Sequence, residues 1–305
     1  MSAVLDIIIV NWNSGTQLRR CLESVAASDR RGVELRRVVV VDNASTDDSA
    51  EALDDLPLPL VCLRNPTNRG FAAACNQAAA GSTATYLLFL NPDTVLGKDS
   101  LVVPTQFLEQ PANHGVGIVG VQLRDATGIA RSCARFLTPG MMLRGMLGFP
   151  SNVMTDWDHQ DTREVDHVTG AFFLVRREVF QTLRGFDERF FVYLEDLDFS
   201  LRARRAGWHT YYLASGCAYH RGGGTSEQIK ARRLFYALRS RVLYAYKHFS
   251  WVTATAVTLA TASLELLTRL ARATGRRSFT EARDTVRAYA LLWRALPRIA
   301  KPHAG

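Results

Sequence analysis

Apolar residues in the first half of the chain fall in short blocks separated by helical patterns. Ile7-Ile8-Ile9-Val10 predicts a buried strand. Behind it, Ser14-Gly15-Thr16-Gln17 has capping-box spacing, and Leu18, Cys21, Leu22 and Val25 recur at helical intervals. Val38-Val39-Val40-Val41 predicts a second buried strand, and Ser45 with Asp48 is spaced as a helix start. Leu60-Val61-Cys62-Leu63 predicts a third strand, the alanine-rich 70–80 segment a helix, and Tyr86-Leu87-Leu88-Phe89-Leu90 a fourth strand. Alternation at this pitch argues for an α/β fold on an open, mainly parallel sheet. In such sheets ligands bind beyond the carboxyl ends of the strands. Polar groups stand at all four of those ends: Asn11-Trp12-Asn13, Asp42-Asn43-Ala44-Ser45, the Asn65–Gly70 segment and Asn91-Pro92-Asp93.

The alternation weakens after Thr94. Residues 116–123 and 167–175 predict further strands, the second containing Thr169-Gly170-Ala171, small enough for close approach of a ligand to the backbone. Between them Met141, Met142, Met146 and Met154 crowd into an apolar stretch, read as core filling. From about Ser226 the chain becomes helical and basic. Trp251–Leu270 is apolar but threonine-rich and carries Glu265 and Arg269, which fits an interfacial or protein-packed helix better than a spanning one. The expected organisation is a domain over 1–225, with halves at about 1–95 and 96–225, and a helical tail over 226–305.

Composition narrows the setting. Five widely scattered cysteines without a CxxC pair argue against a disulfide framework and for a reducing compartment. The chain starts without a basic region before its first strand, so no signal peptide is expected, and the expected location is cytoplasmic. The net charge of +8 is uneven: residues 230–305 hold 15 Lys/Arg against Glu265, Glu281 and Asp284. A basic tail interleaved with apolar residues points to an anionic surface, and no nucleic-acid motif accompanies it. The expected attachment is peripheral, on an anionic membrane.

Two acidic turns carry the candidate chemistry. Asn91-Pro92-Asp93-Thr94 can hold a hard cation through oxygen, and the Phe186–Asp198 segment ends in Glu195, Asp196 and Asp198, from which a general base can be drawn. The alternative is that these last acids merely complement a helix dipole. Asp196 and Asp198, two apart, face different directions on a helix, whereas Glu195 and Asp198 can share a face.

Taken in order, Val10-Asn11-Trp12-Asn13, Val41-Asp42-Asn43-Ala44-Ser45-Thr46-Asp47, Asn68-Arg69-Gly70 through Asn76, Asn91-Pro92-Asp93-Thr94, Thr169-Gly170-Ala171, Gly185–Phe191, Glu195-Asp196-Leu197-Asp198 and His220-Arg221-Gly222-Gly223-Gly224 resemble the motif series of family 2 glycosyltransferases, most of all its rhamnosyltransferase-like branch. The resemblance spans roughly residues 5–225. It implies the GT-A fold, a nucleotide-sugar donor, Mg²⁺ or Mn²⁺, and inversion at the anomeric carbon. It implies nucleotide-sugar contacts from Val10, Trp12, Asp42, Asn43, Asn68, Arg69, Gly70, Asn76, Asn91 and Asp93. Asp93 matches the second acid of the family's DxD motif, with Asn91 replacing the first and removing one anionic ligand. His220 matches a metal-binding histidine and Asp196 the catalytic base, with Glu195, Asp198, Thr169 and Gly170 around the acceptor. The implied donor is dTDP-rhamnose, with another sugar on a UDP donor as the alternative, and the implied acceptor a glycan or polyprenyl-linked saccharide. A catalytically inactive GT-A domain is the competing class. A nucleotidylyltransferase is disfavoured because the first strand leads into Asn11-Trp12-Asn13-Ser14 and not a glycine-rich, basic phosphate loop.

Overall fold

The computed structural model describes residues 3–149, 159–222 and 230–299, which form two compact units. The first holds 3–136, 159–188 and 195–222; the second holds 137–149, 189–194 and 230–299. The second unit is therefore more than the tail: it includes the methionine segment and the residues leading into Glu195. Met154, Gly223 and Gly224 of the motifs above lie outside the described residues.

The first unit begins with β1 (Ala3–Asn11), α1 (Gln17–Ala27), β2 (Val33–Asp42), β3 (Leu60–Arg64), α2 (Phe71–Ala79) and β4 (Tyr86–Leu90). It continues through β5 (Thr94–Leu96), α3 (Val102–Glu109), β6 (Val116–Asp125), β7 (Gly128–Ile129) and β8 (Cys133–Ala134). Past α4 (Pro139–Met146), which belongs to the second unit, come β9 (Arg163–Val165), β10 (His167–Val168), β11 (Phe172–Arg176), α5 (Arg177–Thr182), α6 (Glu195–Arg205) and β12 (His209–His220). The main sheet runs β3-β2-β1-β4-β11-β6-β12-β5. β1, β2, β3 and β4 are parallel; β11 is antiparallel to both neighbours, and β5 is antiparallel to β12.

Continuous apolar runs in β1, β2 and β4 arise because both faces of the sheet are covered. Ile7, Ile9, Val38, Val40, Leu88 and Leu90 pack with Leu18, Cys21, Leu22 and Val25 of α1. Ile8, Val10, Val39, Val41, Leu87 and Phe89 pack with Ala72, Cys75 and Ala78 of α2 on the other side. Each such buried aliphatic side chain contributes about 1.5–3 kcal/mol. At the amino end, fully buried Asp6 accepts from Arg36 Nε at 2.9 Å, Arg37 Nε at 2.8 Å and Ser82 Oγ at 2.6 Å. Burial alone would raise its pKa, but these bonds outweigh burial and hold it below the usual range.

Three local expectations are corrected. The helix expected from Ser45 and Asp48 is only a 3₁₀ turn, Asp48–Ala50, capped by Asp47, because the Ser45 hydroxyl serves the Asn13 N–H at 3.0 Å. Ser14 does not cap α1; its hydroxyl donates to Asn11 Oδ1, and the helix begins at Gln17. The strand expected over 167–175 breaks into β10 and β11 at Thr169-Gly170-Ala171, whose backbone bonds go elsewhere.

In the second unit, α7 (Lys230–His248), α8 (Trp251–Ala262), α9 (Leu264–Gly275) and α10 (Phe279–Ile299) accompany α4, with Met142 and Met146 buried. The apolar 251–270 stretch breaks at Ser263 into α8 and α9. Glu265 is buried and bound by Arg241 and by Arg269, the latter at 2.8 and 3.0 Å, so its charge is neutralised inside the unit. Trp251–Gly275 contains an 18-residue window of mean hydropathy 1.2 and so passes, by length and composition alone, as a segment that could cross a membrane. Trp251, Val252, Leu259, Leu267 and Phe279 are exposed. Residues 189–194 are held by α7: Arg239 Nη1 donates to the Arg189 carbonyl at 2.7 Å, Ser240 Oγ to the Val192 carbonyl at 2.8 Å, and Phe191 stacks on Tyr236.

Candidate active site

The carboxyl ends of β1 and β2 meet in one polar network. Asn11 pairs with Asp42 in register, and its buried Nδ2 donates to Asp42 Oδ1 at 3.1 Å and to Ser49 Oγ at 2.9 Å. Thr46 N–H donates to Asn13 Oδ1 at 2.7 Å, closing the loops over one another. Asn13 and Ala44 both take left-handed backbone (φ +50° and +64°), a conformation held by these bonds. Val10 ends in the core below this network, and Trp12, half-buried, follows it.

Asn43 does something different from what its place in the motif implies. Its buried amide donates to Asn68 Oδ1 (2.9 Å) and the Gly70 carbonyl (3.2 Å), and accepts from Asn65 Nδ2 (3.2 Å) and Arg69 N–H (3.0 Å). All its hydrogen-bonding capacity goes into shaping the Asn65–Gly70 loop. Gly70, at φ +86°, allows that loop to turn into α2. Arg69 remains exposed, with Nη1 on Gln77 at 3.1 Å. Asn76 likewise ties α2 to a distant turn: its amide exchanges two bonds with the Phe186 backbone, at 2.8 and 2.9 Å. A Cβ on Gly185 (φ +73°) would stand 2.5 Å from Asn76 Oδ1, so that position requires glycine.

Asp93 and His220 are brought together by pairing of β5 with β12, which sets Thr94 opposite His220. Asp93 Oδ1 lies 3.2 Å from His220 Nε2, with side chains 10% and 22% exposed. Neighbouring ligands on an octahedral cation at about 2.1 Å stand about 3 Å apart, so the pair fits Mg²⁺ or Mn²⁺. No cluster of three potential ligands occurs among the described residues. Asn91 precedes this pair, and its N–H donates to the Ala171 carbonyl at 3.2 Å.

Asp196 sits in the first turn of α6. Oδ1 accepts from Leu197 N–H and Oδ2 from Gly170 N–H, both at 2.8 Å. A Cβ on Gly170 would lie 3.2 Å from Oδ2, so the missing side chain makes room for the carboxylate. Thr169 Oγ1 beside it and Glu195 Oε2 are buried with no partner among the described residues. Burial, with Asp196 and Asp198 nearby, pushes the Glu195 carboxyl well above its usual range. Asp198 is fully buried and bound to Arg202 Nε at 2.8 Å, while that guanidinium also donates to the carbonyls of Leu183 and Gly185. This organises the end of α5.

The sequence reading missed His167. Its Nε2 lies 3.6 Å from Asp196 Oδ2, and its Nδ1 is 3.2 Å from Ser200 Oγ. Burial lowers its pKa, leaving it neutral near pH 7. Its position two residues before Thr169 was the available signal, but no local pattern pairs it with α6.

Both carboxylate sites hang from one step of the chain. Gly170 N–H holds Asp196, while the next carbonyl, of Ala171, accepts from Asn91 N–H and from Thr94 Oγ1 at 3.1 Å. Residues 3–242 match the family described as Glycosyltransferase like family 2. The N-acetylglucosaminyl-diphospho-decaprenol L-rhamnosyltransferase of Mycobacterium tuberculosis is 29% identical over 274 residues, 82% of this chain and 87% of that protein. Rhamnosyltransferase WbbL of Escherichia coli is 25% identical over 254 residues, covering 78% and 91%. The mannosyltransferase PcManGT of Pyrobaculum calidifontis, solved with GDP-Man and Mn²⁺, superposes with a TM-score of 0.55 at 18% identity, covering 98% of this chain and 87% of that one. S. aureus TarS 1-349 in complex with UDP-GlcNAc gives 0.55 at 17%, covering 98% and 83%. Motif order, sheet topology and these likenesses agree: the chain belongs to glycosyltransferase family 2 and has the GT-A fold.

Proposed function

We propose that the chain is an inverting rhamnosyltransferase that moves L-rhamnose from dTDP-rhamnose to a hydroxyl of a lipid-linked saccharide in bacterial cell-surface polysaccharide synthesis. The observation that carries this reading is the shared step at 169–171, which hangs the candidate base and the candidate diphosphate turn from adjacent backbone groups. The rhamnosyl group is supported by two relatives named as rhamnosyltransferases, and the lipid-linked acceptor by the first, whose name gives a diphospho-decaprenol acceptor.

Asp42 and Trp12 face the nucleoside, and exposed Arg69 meets the diphosphate. Asn43, Asn68, Gly70 and Asn76 shape that pocket from behind. Asp93 and His220 would hold Mg²⁺ or Mn²⁺, which would supply positive charge for the departing diphosphate. Asp196 removes the proton of the acceptor hydroxyl, and the sugar is displaced once, with inversion. The unpartnered Glu195 carboxyl and Thr169 hydroxyl offer hydrogen bonds to the acceptor.

Incubation with a panel of nucleotide sugars tests the reading. Turnover with dTDP-rhamnose and release of dTDP is expected. Turnover only with a UDP-sugar would move the donor, pyrophosphate release would indicate nucleotidylyl transfer, and no turnover with any donor would favour a binding protein.

The second unit fits attachment to the cytoplasmic face of an anionic membrane, where a lipid-linked acceptor is found. It exposes Trp251, Val252, Leu259 and Phe279, and residues 230–305 carry 15 Lys/Arg, each worth about 1 kcal/mol when near an anionic leaflet. Co-sedimentation with anionic vesicles should occur and weaken with salt. Equal sedimentation with neutral vesicles would refute the electrostatic part.

A further inference from the structure

We propose that His167 is a positioning residue for Asp196: its unprotonated Nε2 faces Asp196 Oδ2, and the proton taken from the acceptor hydroxyl is held between these two atoms. The proposal rests on the reading of Asp196 as the base.

The tautomer follows from the hydrogen bonds. Ser200 Oγ donates its only proton to the Asp196 carbonyl at 2.9 Å, so it can only accept from the imidazole. The neighbouring His167 Nδ1, at 3.2 Å, therefore carries the ring proton. In the neutral ring Nε2 is then a bare lone pair, 3.6 Å from a carboxylate oxygen that is also a lone-pair donor. Two acceptors placed face to face gain nothing from each other until a proton arrives between them. Gly170 N–H fixes Oδ2 from another side, so the carboxylate cannot turn away without losing that bond.

The surroundings favour a neutral ring before reaction. The charges acting on His167 are Asp196, from α6, and Asp166, its chain neighbour. Arg204 of α6 engages Asp166 at 3.4 Å and so offsets that second charge. From β8, Ala134 stands opposite in register, and the adjacent buried Cys133 thiol, its pKa pushed up to about 12 by burial, is uncharged. The packed segment of β12 adds buried Tyr212, whose hydroxyl donates to the His159 carbonyl.

The step balances. The acceptor oxygen bonds to the anomeric carbon as the bond from that carbon to the diphosphate oxygen breaks, and the electron pair leaves with the diphosphate. The acceptor proton passes to Asp196 Oδ2 and is shared with His167 Nε2. It returns to water through Asp196, whose side chain is 18% exposed, against 6% for His167. A carboxylate backed by an imidazole lone pair is a stronger base than one alone, and the two titrate as a unit.

Two variants and one spectrum test this. His167→Phe and His167→Gln should lower kcat by roughly tenfold or more and shift the acidic limb of the kcat/KM profile to lower pH, with donor affinity unchanged. Here the inactivating proton binds the carboxylate alone, not the pair. A fall in kcat with the acidic limb unmoved, or no fall, would overturn the proposal. Should both variants fail to fold, ¹⁵N spectra of the histidines in the wild-type protein decide: at pH 7 His167 should show protonated Nδ1 and bare Nε2. A proton on Nε2 would overturn it. Asp196→Asn run alongside separates the two readings, because retained turnover there refutes the base itself, whereas lost turnover with an unmoved limb in the His167 variants refutes only the dyad.

Discussion

Two of the carboxylate–histidine pairs in the first unit involve the candidate site residues, and their surroundings suit them to different chemistry. Asp93 and His220 lie 3.2 Å apart at the pairing of two strands, with both side chains partly open. Asp196 and His167 lie 3.6 Å apart, with the imidazole sealed between a strand and a helix and only the carboxylate reachable. Where both partners keep access, a hydrated cation can take both as ligands. Where one is buried and its far nitrogen is tied to a hydroxyl, the remaining space suits a proton. Residue type is the same in both; exposure and the second hydrogen bond of the histidine decide the use.

The largest effect that would test this contrast is on Asp196. Asp196→Asn should lower kcat by about 10²–10⁴-fold while donor affinity, measured by calorimetry, stays within experimental scatter. A near-normal kcat would remove the base from this pair and turn attention to Glu195.

The open pair should respond to cation and not to acceptor. Asp93→Ala and His220→Ala should each weaken nucleoside diphosphate binding in Mn²⁺ by at least roughly tenfold, the scale seen even for residues that only support a metal ligand. In EDTA the variants and the wild type should bind alike. If chelation leaves wild-type turnover unchanged, the pair is not a cation site and Arg69 must meet the leaving group.

A smaller change sharpens the contrast by geometry. Gly170→Ala places a methyl 3.2 Å from Asp196 Oδ2, so the carboxylate must give by a few tenths of an ångström. Turnover should drop roughly tenfold, since misplacement by 1 Å costs about 10². The Mn²⁺ dependence of donor binding should not move; a parallel loss there would mean that the 169–171 step couples both sites.

The smallest effect concerns stability. His167 has a folded pKa below its ordinary value of 6.5 because burial disfavours the charged ring. The folded state thus binds fewer protons, and this contribution is complete above that value and lost as pH falls through it. Urea midpoints of the wild type should fall between pH 7.5 and 5.5, and His167→Phe should flatten that fall. Identical slopes would show that the ring is not held neutral.

The nucleotide half was legible because its signals are local. Ile7–Val10, Val38–Val41 and Tyr86–Leu90 are apolar without interruption since helices cover both faces, and the polar residues after them land at the strand ends by chain continuity. Helix starts were read less well. Ser14 and Ser45 have capping residues' chemistry, yet their hydroxyls bind Asn11 and Asn13 across the β1–β2 junction, a choice that spacing within one segment does not encode. The amides of Asn43 and Asn76 bond to the protein's own backbone and side chains, partners that lie too far along the chain for a local pattern to show.

By itself the sequence determined the fold class, the strands of the nucleotide half, the two acidic turns and family membership, because these rest on periodicity and on ordered motifs along the chain. Tertiary structure alone placed His167 beside Asp196 and showed how His220 reaches Asp93. His220 reaches Asp93 through the antiparallel register of β12 on β5, and Asp196 reaches Gly170, 26 residues away, through the break between β10 and β11. Such pairings depend on where elements distant in sequence cross, and on which polar groups burial leaves without water, so no local pattern of residues carries them.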